Sequence, residues 1–238
     1  MRFIPAVLLA AGLASALPGQ VLAQAVQSRF LPAEDLAAER LVPPPPAVGS
    51  PALALEMDRL KSLITSSSEQ RHAQADADGS HRDPTVFNEA VGRDIAKLPA
   101  TYALLSDIQS EAAVTVDAAK AYFKQPRPYT IDPGLRHCGK GGVNYTGYPS
   151  GHAGFGYSVG WALARLDPAH ASAVLTRADD YALSREVCGV HFHADTEASR
   201  VIGTYIAERM LADPKLATRV AAARAELASQ QAPLAAAR

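Results

Sequence analysis

The sequence predicts an all-α fold, a single-domain helical bundle, from two observations. Large apolar residues recur at helical spacing in several stretches, and no stretch of useful length alternates as a strand does. Alanine contributes much of the 48% hydrophobic fraction while aromatic residues make up 6%, and alanine favours helices more than it fills a core. We therefore expect closely packed helices with a small-residue core.

The first residues are typical of a cleaved secretory signal, which we place at 1–23. Arg2 precedes an apolar run over 3–17 that is too short to span a bilayer, and helix breakers follow it. The alternative is a buried N-terminal helix. A signal predicts export to the periplasm, where Cys138 and Cys188 can pair rather than remain free thiols.

The rest of the chain divides at its prolines. Residues 24–50 predict an N-terminal arm on the surface, because the polyproline run at 43–46 cannot enter a helix interior. We expect an all-α domain over 51–215 and a peripheral alanine-rich helix with a tail over 216–238. Apolar spacing predicts helices within the domain at about 53–78, 105–123, 153–166, 169–186 and 195–211.

Charge and composition exclude two classes of partner. The formal net charge is -1 and the sequence pI is about 6.7, so the chain lacks the basic surface that a nucleic-acid polymer requires. A charged fraction of 20% is too high for a bundle of membrane spans. We expect neither nucleic acid nor membrane as a partner.

Two cations follow each other at the end of the second long helix. Lys120 lies in its last turn, and Arg127 stands between Pro126 and Pro128 in a stiff, extended exit. Such a pair can bind one tetrahedral oxyanion, because the planar guanidinium group of arginine can donate two hydrogen bonds and lysine supplies a compact positive charge. The alternative is that both cations only complement the helix dipole and stay solvated.

A glycine-rich loop leads into the tetrapeptide Pro149-Ser150-Gly151-His152, which opens the next helix. Ser150 predicts an N-cap, Gly151 lets an anion approach the backbone, and the free N–H groups of the first turn point outward. His152 could donate a proton to an anion bound there. The alternative is a plain capped helix with an exposed histidine.

The third segment runs from Ser184 to Asp195. If the chain turns into a helix at His191, Asp195 can reach one imidazole nitrogen and fix the tautomer, which leaves the other nitrogen as a nucleophile. Arg185 would supply another guanidinium group for the same anion. The alternative, a metal pair of His191 and His193, lacks an evident third ligand.

Together these segments read K-x6-R-P, P-S-G-H and S-R-x5-H-x3-D, which resembles the signature of the phosphatidic acid phosphatase type 2 and vanadium haloperoxidase superfamily. Within it, the chain resembles a bacterial class A non-specific acid phosphatase through the stretches 41–50, 147–152 and 188–191. The likeness spans about residues 30–215. It implies the all-α bundle of that superfamily, with the catalytic domain over 51–215.

Three features depart from the family's pattern. Ala153 and His193 stand where threonine and glutamine are expected, and the segment 79–100 is abbreviated. These departures concern substrate preference rather than reaction type.

The resemblance implies a metal-independent acid phosphatase that hydrolyses phosphomonoesters of broad range through a phosphohistidine, with phosphotransferase activity as a further expectation. His191 is the implied nucleophile, Asp195 orients it, and His152 acts first as general acid and then as base. These roles leave no work for a metal, and no cofactor is expected. The residues implied to hold the phosphoryl oxygens are Lys120, Arg127, Ser150, Gly151 and Arg185.

The resemblance also carries expectations about conditions and partners. The scheme requires a neutral His191 and a protonated His152. We expect the activity to be greatest at about pH 5 to 6.5, because neighbouring cations oppose protonation of His152. A Cys138–Cys188 bridge would join two parts of the site. Inorganic phosphate, vanadate and molybdate are expected inhibitors, and the protein is expected to form a homodimer or a higher homo-oligomer.

Three alternative functions would use the same cations. A vanadium haloperoxidase would use the anion site with His191 as the metal ligand, but its chains are usually much longer. A membrane lipid-phosphate phosphatase needs several spans, and the sequence after the signal contains none. A phosphate-binding protein without activity would lose His191 or Asp195, and both are present.

Overall fold

The computed structural model describes residues 28–139 and 145–229 of the chain, and within them it confirms the predicted all-α class. No β-strand occurs in either described range. Among the helices described, none is both long and apolar enough to cross a membrane. The signal predicted at 1–23 and the end of the predicted tail, from residue 230, lie outside the described residues.

Seven helices of 12 to 25 residues build most of the two described ranges, and shorter helical turns connect them. The seven are α1 (Pro51–Ser66), α2 (Glu69–Ser80), α3 (Pro99–Phe123), α4 (Gly151–Leu166), α5 (Ala171–Val187), α6 (His193–Ala212) and α7 (Ala217–Ser229). The turns are Ala33–Leu36, Ala38–Leu41, Pro84–Phe87, Asn88–Val91, Ile95–Lys97, Pro128–Ile131, Pro168–His170 and Pro214–Leu216.

The first predicted helix is two helices in the structure. α1 ends at Ser66, and α2 begins at Glu69 after Ser67 and Ser68, whose backbone is extended. The Ser68 hydroxyl accepts the N–H of Arg71 at 3.1 Å, as an N-cap does. Serine side chains compete with the helix for backbone groups, so this run of serines ends one helix and starts another. Apolar spacing alone does not reveal the break.

α4 lies at the centre of the bundle and packs against α3, α5 and α6. Small residues permit this close packing. A Cβ atom added at Gly203 of α6 would lie 2.9 Å from the carbonyl oxygen of Gly154 in α4. A Cβ atom added at Gly154 would lie 2.9 Å from Val116 Cγ2 in α3. Because larger side chains do not fit at either position, the two glycines bring three helices together.

The last described helix, α7, packs against α3 and contributes to the core. It buries the side chains of Val220, Ala223 and Leu227. The Glu226 carboxylate accepts the N–H groups of residues 100 and 101 at 3.1 and 2.8 Å. These N–H groups belong to the first turn of α3, which has no side-chain cap of its own. α7 therefore supplies the cap that α3 lacks.

The polyproline segment is held to the bundle by two hydrogen bonds to its carbonyl groups. Tyr148 donates its hydroxyl to Pro43 and Gln125 donates its amide to Pro46, at 2.5 and 3.0 Å. Further towards the N-terminus, Glu111 of α3 accepts the N–H groups of Arg29, Phe30 and Leu31. The arm is therefore anchored to α3 and to the loop before α4.

Cys138 and Cys188 form the predicted disulfide, with Cα atoms 4.9 Å apart and a sequence separation of 50. The N–H of Cys138 also donates to the carbonyl of Cys188 at 2.9 Å. The bond joins the loop after the Pro128–Ile131 turn to the end of α5.

We predict that the double variant Cys138→Ser, Cys188→Ser has a free energy of unfolding lower by about 4 kcal/mol, because closing a loop of this length restricts the unfolded chain. Urea unfolding of the wild type and the variant without reductant measures the difference. Wild-type protein in excess reductant is the control and should match the variant. A difference below about 1 kcal/mol would contradict the predicted contribution.

Candidate active site

The three predicted segments meet at one end of the bundle, where α4 and α6 begin and α3 and α5 end. The structure brings together all eight residues that the motifs single out. They are Lys120 in the last turn of α3, Arg127 after it, Ser150, Gly151 and His152 at the start of α4, Arg185 near the end of α5, and His191 and Asp195 around the start of α6.

His191 and Asp195 form a buried pair, with 2% and 1% of their surfaces exposed. Nδ1 of His191 lies 3.1 Å from Oδ2 of Asp195, which also accepts the N–H of Phe192 at 2.9 Å. Because the carboxylate accepts, Nδ1 carries the proton and Nε2 presents a lone pair. This is the arrangement that the spacing of the two residues predicts.

A tight turn between α5 and α6 presents His191 to the site. α5 ends at Val187, and Gly189 follows with a φ of 63°, in the left-handed region that favours glycine. A Cβ atom at Gly189 would also lie 2.2 Å from the carbonyl oxygen of Arg136. Glycine is therefore required for the turn, which the Cys138–Cys188 bond further restrains.

Arg127 approaches the second nitrogen of His191. Its Nη1 lies 3.1 Å from His191 Nε2 and donates to the carbonyl of Val190 at 3.1 Å. Its Nε donates to the hydroxyl of Thr146 at 3.2 Å. The backbone of Arg127 is extended, with φ -78° and ψ 155°, as its flanking prolines predict. A guanidinium group thus faces the nitrogen that carries the lone pair.

Lys120 and Arg185 complete a set of three site cations whose hydrogen bonds go to uncharged groups. Lys120 Nζ donates to the carbonyls of Thr146 and Pro149. Arg185 is 7% exposed, and its Nε has no hydrogen-bond partner among the described residues. Burial and the neighbouring arginine lower the pKa of Lys120 to about 7. A partly buried positive cluster of this kind favours an anionic ligand.

Ser150 caps α4 and joins it to α6. Its Oγ accepts the N–H of Ala153 at 3.3 Å, as the sequence predicts for an N-cap. The N–H of Ser150 donates to the carbonyl of Asp195 at 3.1 Å, and its carbonyl accepts the hydroxyl of Ser199 at 2.7 Å. The first two N–H groups of α4, those of Gly151 and His152, have no partner within the helix, so they can bind an anion.

His152 contacts the end of α2. Its Nε2 lies 3.2 Å from the carbonyl oxygen of Gly79, which can only accept, so Nε2 carries the proton. Burial, Arg185 and Arg82 lower the pKa of His152 from 6.5 to about 3. Burial and the three site cations lower the pKa of His191 well below 6.5. The neutral His191 agrees with the expected scheme, whereas the free site opposes the protonated His152 that the scheme requires.

Two residues of the site lie outside the predicted set, Gly79 and Arg82. A Cβ atom at Gly79 would lie 2.7 Å from Arg185 Nη1, so this glycine leaves room for the guanidinium group. Arg82 Nη2 donates to the carbonyl of Gly151 at 3.4 Å. Neither residue belongs to a motif, and contacts between distant segments bring both to the site.

His193 bonds to a different carboxylate from His191. Its Nδ1 lies 3.0 Å from Glu186 Oε1, which also accepts the hydroxyl of Thr196 at 2.8 Å. This geometry does not support the alternative of a metal pair. In the part of the chain that the structure describes, no group of three His, Cys, Asp or Glu side chains could hold a metal ion.

Comparisons with known proteins agree on the family. A family model described as PAP2 superfamily matches residues 98–218, a range that contains all eight motif residues. The non-specific acid phosphatase of Salmonella typhimurium is 27% identical over 221 residues, which cover 86% of each protein. The acid phosphatase of Zymomonas mobilis is 30% identical over 169 residues, which cover 68% of this chain and 64% of that protein.

A solved structure shares the fold. The crystal structure of a transmembrane PAP2-type phosphatidylglycerolphosphate phosphatase from Bacillus subtilis matches with a TM-score of 0.53 and 12% identity, covering 68% of this chain and 86% of that one. This likeness supports the fold alone. Because the family model covers about half of the chain and includes every motif residue, the chain belongs to the PAP2 superfamily, as its three motifs predict.

Proposed function

We propose that this protein is a secreted acid phosphatase that hydrolyses small phosphomonoesters of broad range through a phosphohistidine, without a metal. The observation that carries the proposal is the buried His191–Asp195 pair beside three cations. The pair supplies a nucleophile, and the cations supply a positive site for phosphoryl oxygens. Family membership and the names of the two relatives, both acid phosphatases, support this reaction.

In the first step, Nε2 of His191 attacks phosphorus, and the bond from phosphorus to the leaving oxygen breaks. Asp195 accepts the hydrogen bond from Nδ1 and stabilises the positive charge that develops on the imidazole. A protonated His152 donates its proton to the leaving oxygen, and the alcohol departs. The cations that neutralise the phosphoryl oxygens are Lys120, Arg127 and Arg185.

In the second step, the neutral His152 takes a proton from water while the water oxygen attacks phosphorus. The bond from phosphorus to Nε2 breaks, phosphate leaves, and His191 regains its lone pair. An alcohol in the place of water would accept the phosphoryl group instead. Phosphotransferase activity is therefore part of the proposal.

We also propose export to the periplasm and assembly into a homodimer or higher homo-oligomer. The signal predicted at 1–23 supports export, and the Cys138–Cys188 disulfide fits an oxidising compartment. Assembly stays a prediction that light scattering of the purified protein would measure.

We predict that His191→Ala lowers kcat for 4-nitrophenyl phosphate by at least about 1,000-fold, because the variant cannot form the phosphohistidine. His193→Gln is the matched control. His193 lies two residues further on, bonds to Glu186, and should tolerate the change with an effect below about threefold. Full activity of His191→Ala, or loss of wild-type activity in excess chelator, would contradict the mechanism.

The lowered pKa of His152 predicts the effect of pH on the rate. Because His152 is neutral in the free site, the proton for the leaving oxygen must enter with the substrate. The monoanion that carries it predominates below the second phosphate pKa of about 6. We therefore expect kcat/KM to be greatest at about pH 5 to 6.5 and to fall about tenfold per unit above that range. Steady-state kinetics at constant ionic strength measure the profile, and an optimum above about pH 8 would exclude these roles.

We predict that inorganic phosphate, vanadate and molybdate inhibit competitively, because each is an oxyanion that the three cations can bind. Phosphate at 100 times its Kd should stabilise the fold by about 2.7 kcal/mol, measured as a rise in Tm. Arg127→Ala should lose this rise, whereas Arg224→Gln, on the exposed surface of α7, should keep it. Halide oxidation by the vanadate-loaded protein without phosphomonoester hydrolysis would instead support the haloperoxidase alternative.

A further inference from the structure

Arg82 lies at the rim of the candidate site and belongs to none of the three motifs. Its side chain is exposed, and its Nη2 lies 3.4 Å from the carbonyl oxygen of Gly151. A Cβ atom at Gly151 would lie 3.6 Å from the same nitrogen. We propose that Arg82 is a specificity-determining residue that binds a negative charge carried by the leaving group of the substrate. The inference rests on the proposed function, because it names the leaving groups which that site prefers.

The backbone that carries Arg82 is fixed from three sides. Residues 79–82 include the end of α2, and three of their carbonyl groups accept hydrogen bonds from α3, α4 and α5. The contacts are His152 Nε2 to Gly79 at 3.2 Å, the Tyr181 hydroxyl to His81 at 2.7 Å, and Gln109 Nε2 to Arg82 at 3.3 Å. The start of the Arg82 side chain therefore has a defined position beside the first turn of α4.

The charge of Arg82 is available to a ligand. Its hydrogen bond goes to a carbonyl group, and within 28–139 and 145–229 no carboxylate pairs with its positive charge. The adjacent carboxylate, Asp83, is engaged elsewhere: it accepts the N–H and the hydroxyl of Thr85 at 2.9 and 2.6 Å and lies 3.1 Å from His81. Arg82 thus resembles the three site cations, whose hydrogen bonds also go to uncharged groups.

Arg82 lies on the side of the general acid. Its charge contributes to the lowered pKa of His152, after that of Arg185. Arg82 also contacts the carbonyl of Gly151, the residue before His152, whereas Arg127 contacts Nε2 of His191. In an in-line displacement the attacking nitrogen and the leaving oxygen lie on opposite sides of phosphorus. A cation beside His152 therefore faces the leaving group, not the nucleophile.

These observations define a class of substrate by its chemistry. The leaving group would carry an anionic oxygen close to the scissile bond, as a carboxylate or as a second phosphate. A neutral leaving group gains nothing from Arg82. Because Arg82 is exposed, the preference is moderate and weakens with salt.

The test compares two substrates that differ in one group. In 3-phosphoglycerate the leaving group carries a carboxylate, and in glycerol 3-phosphate a neutral hydroxymethyl group takes its place. We expect the ratio of their kcat/KM values to fall about fivefold in Arg82→Gln and to recover in part in Arg82→Lys. The ratio should also fall when salt is added to the wild type. Arg224→Gln, an exposed arginine on α7, is the matched control and should leave the ratio unchanged.

Hydrolysis of inorganic pyrophosphate is measured in the same variants. It shows whether Arg82 binds a second phosphate group or only a carboxylate. An equal loss on all substrates in Arg82→Gln would overturn the proposal and indicate a structural role, and so would an unchanged ratio. Failure of the proposed function would look different. The wild type would then hydrolyse neither ester, or His191→Ala would keep its activity.

Discussion

The hydrogen bond between His191 and Asp195 is the contact on which the geometry of the site depends. Asp195 orients the imidazole through its side chain, and its backbone carbonyl accepts the N–H of Ser150 at 3.1 Å. The hydroxyl of Ser199 lies within 2.8 Å of the carbonyl oxygens of Ser150 and Asp195. One residue therefore sets the tautomer of His191 and aligns the first turns of α4 and α6. A shift of Asp195 would move the His191 imidazole and the first N–H groups of α4 together.

The helix packing makes these contacts reachable. Because Gly154 and Gly203 let the backbones of α4 and α6 approach, the residues at the starts of both helices can bond directly. Gly79, near the end of α2, has a similar effect, because the absence of a side chain there leaves room for the guanidinium group of Arg185. The small-residue composition is therefore a condition for the site as well as for the core, since a larger residue at any of these positions would separate groups that must lie within hydrogen-bond distance.

The positive charge of the site links the binding of an anion to the protonation of the site residues. Burial and, after it, the mutual repulsion of the site cations lower the pKa values of Lys120, His152 and His191. A phosphate dianion would remove it, so anion binding and protonation of His152 favour each other. In the proposed mechanism, Arg127, whose Nη1 lies 3.1 Å from His191 Nε2, would exchange this contact for a phosphoryl oxygen as the nitrogen attacks phosphorus. The net charge of -1 conceals this local excess of positive charge.

The sequence predicts those parts of the site whose geometry is local. Ser150 caps its own helix, Asp195 reaches a histidine four residues away, and prolines on both sides extend Arg127, so short patterns carry the information. Arg82 has no such pattern, because bonds from three distant helices fix its position. The sequence predicts that neighbouring cations oppose protonation of His152, but the size of the pKa shift depends on burial and on Arg82, which no motif contains. Contacts between distant segments thus determine two properties that local patterns do not predict. These are the leaving group that the site would accept and the source of the proton that His152 would donate.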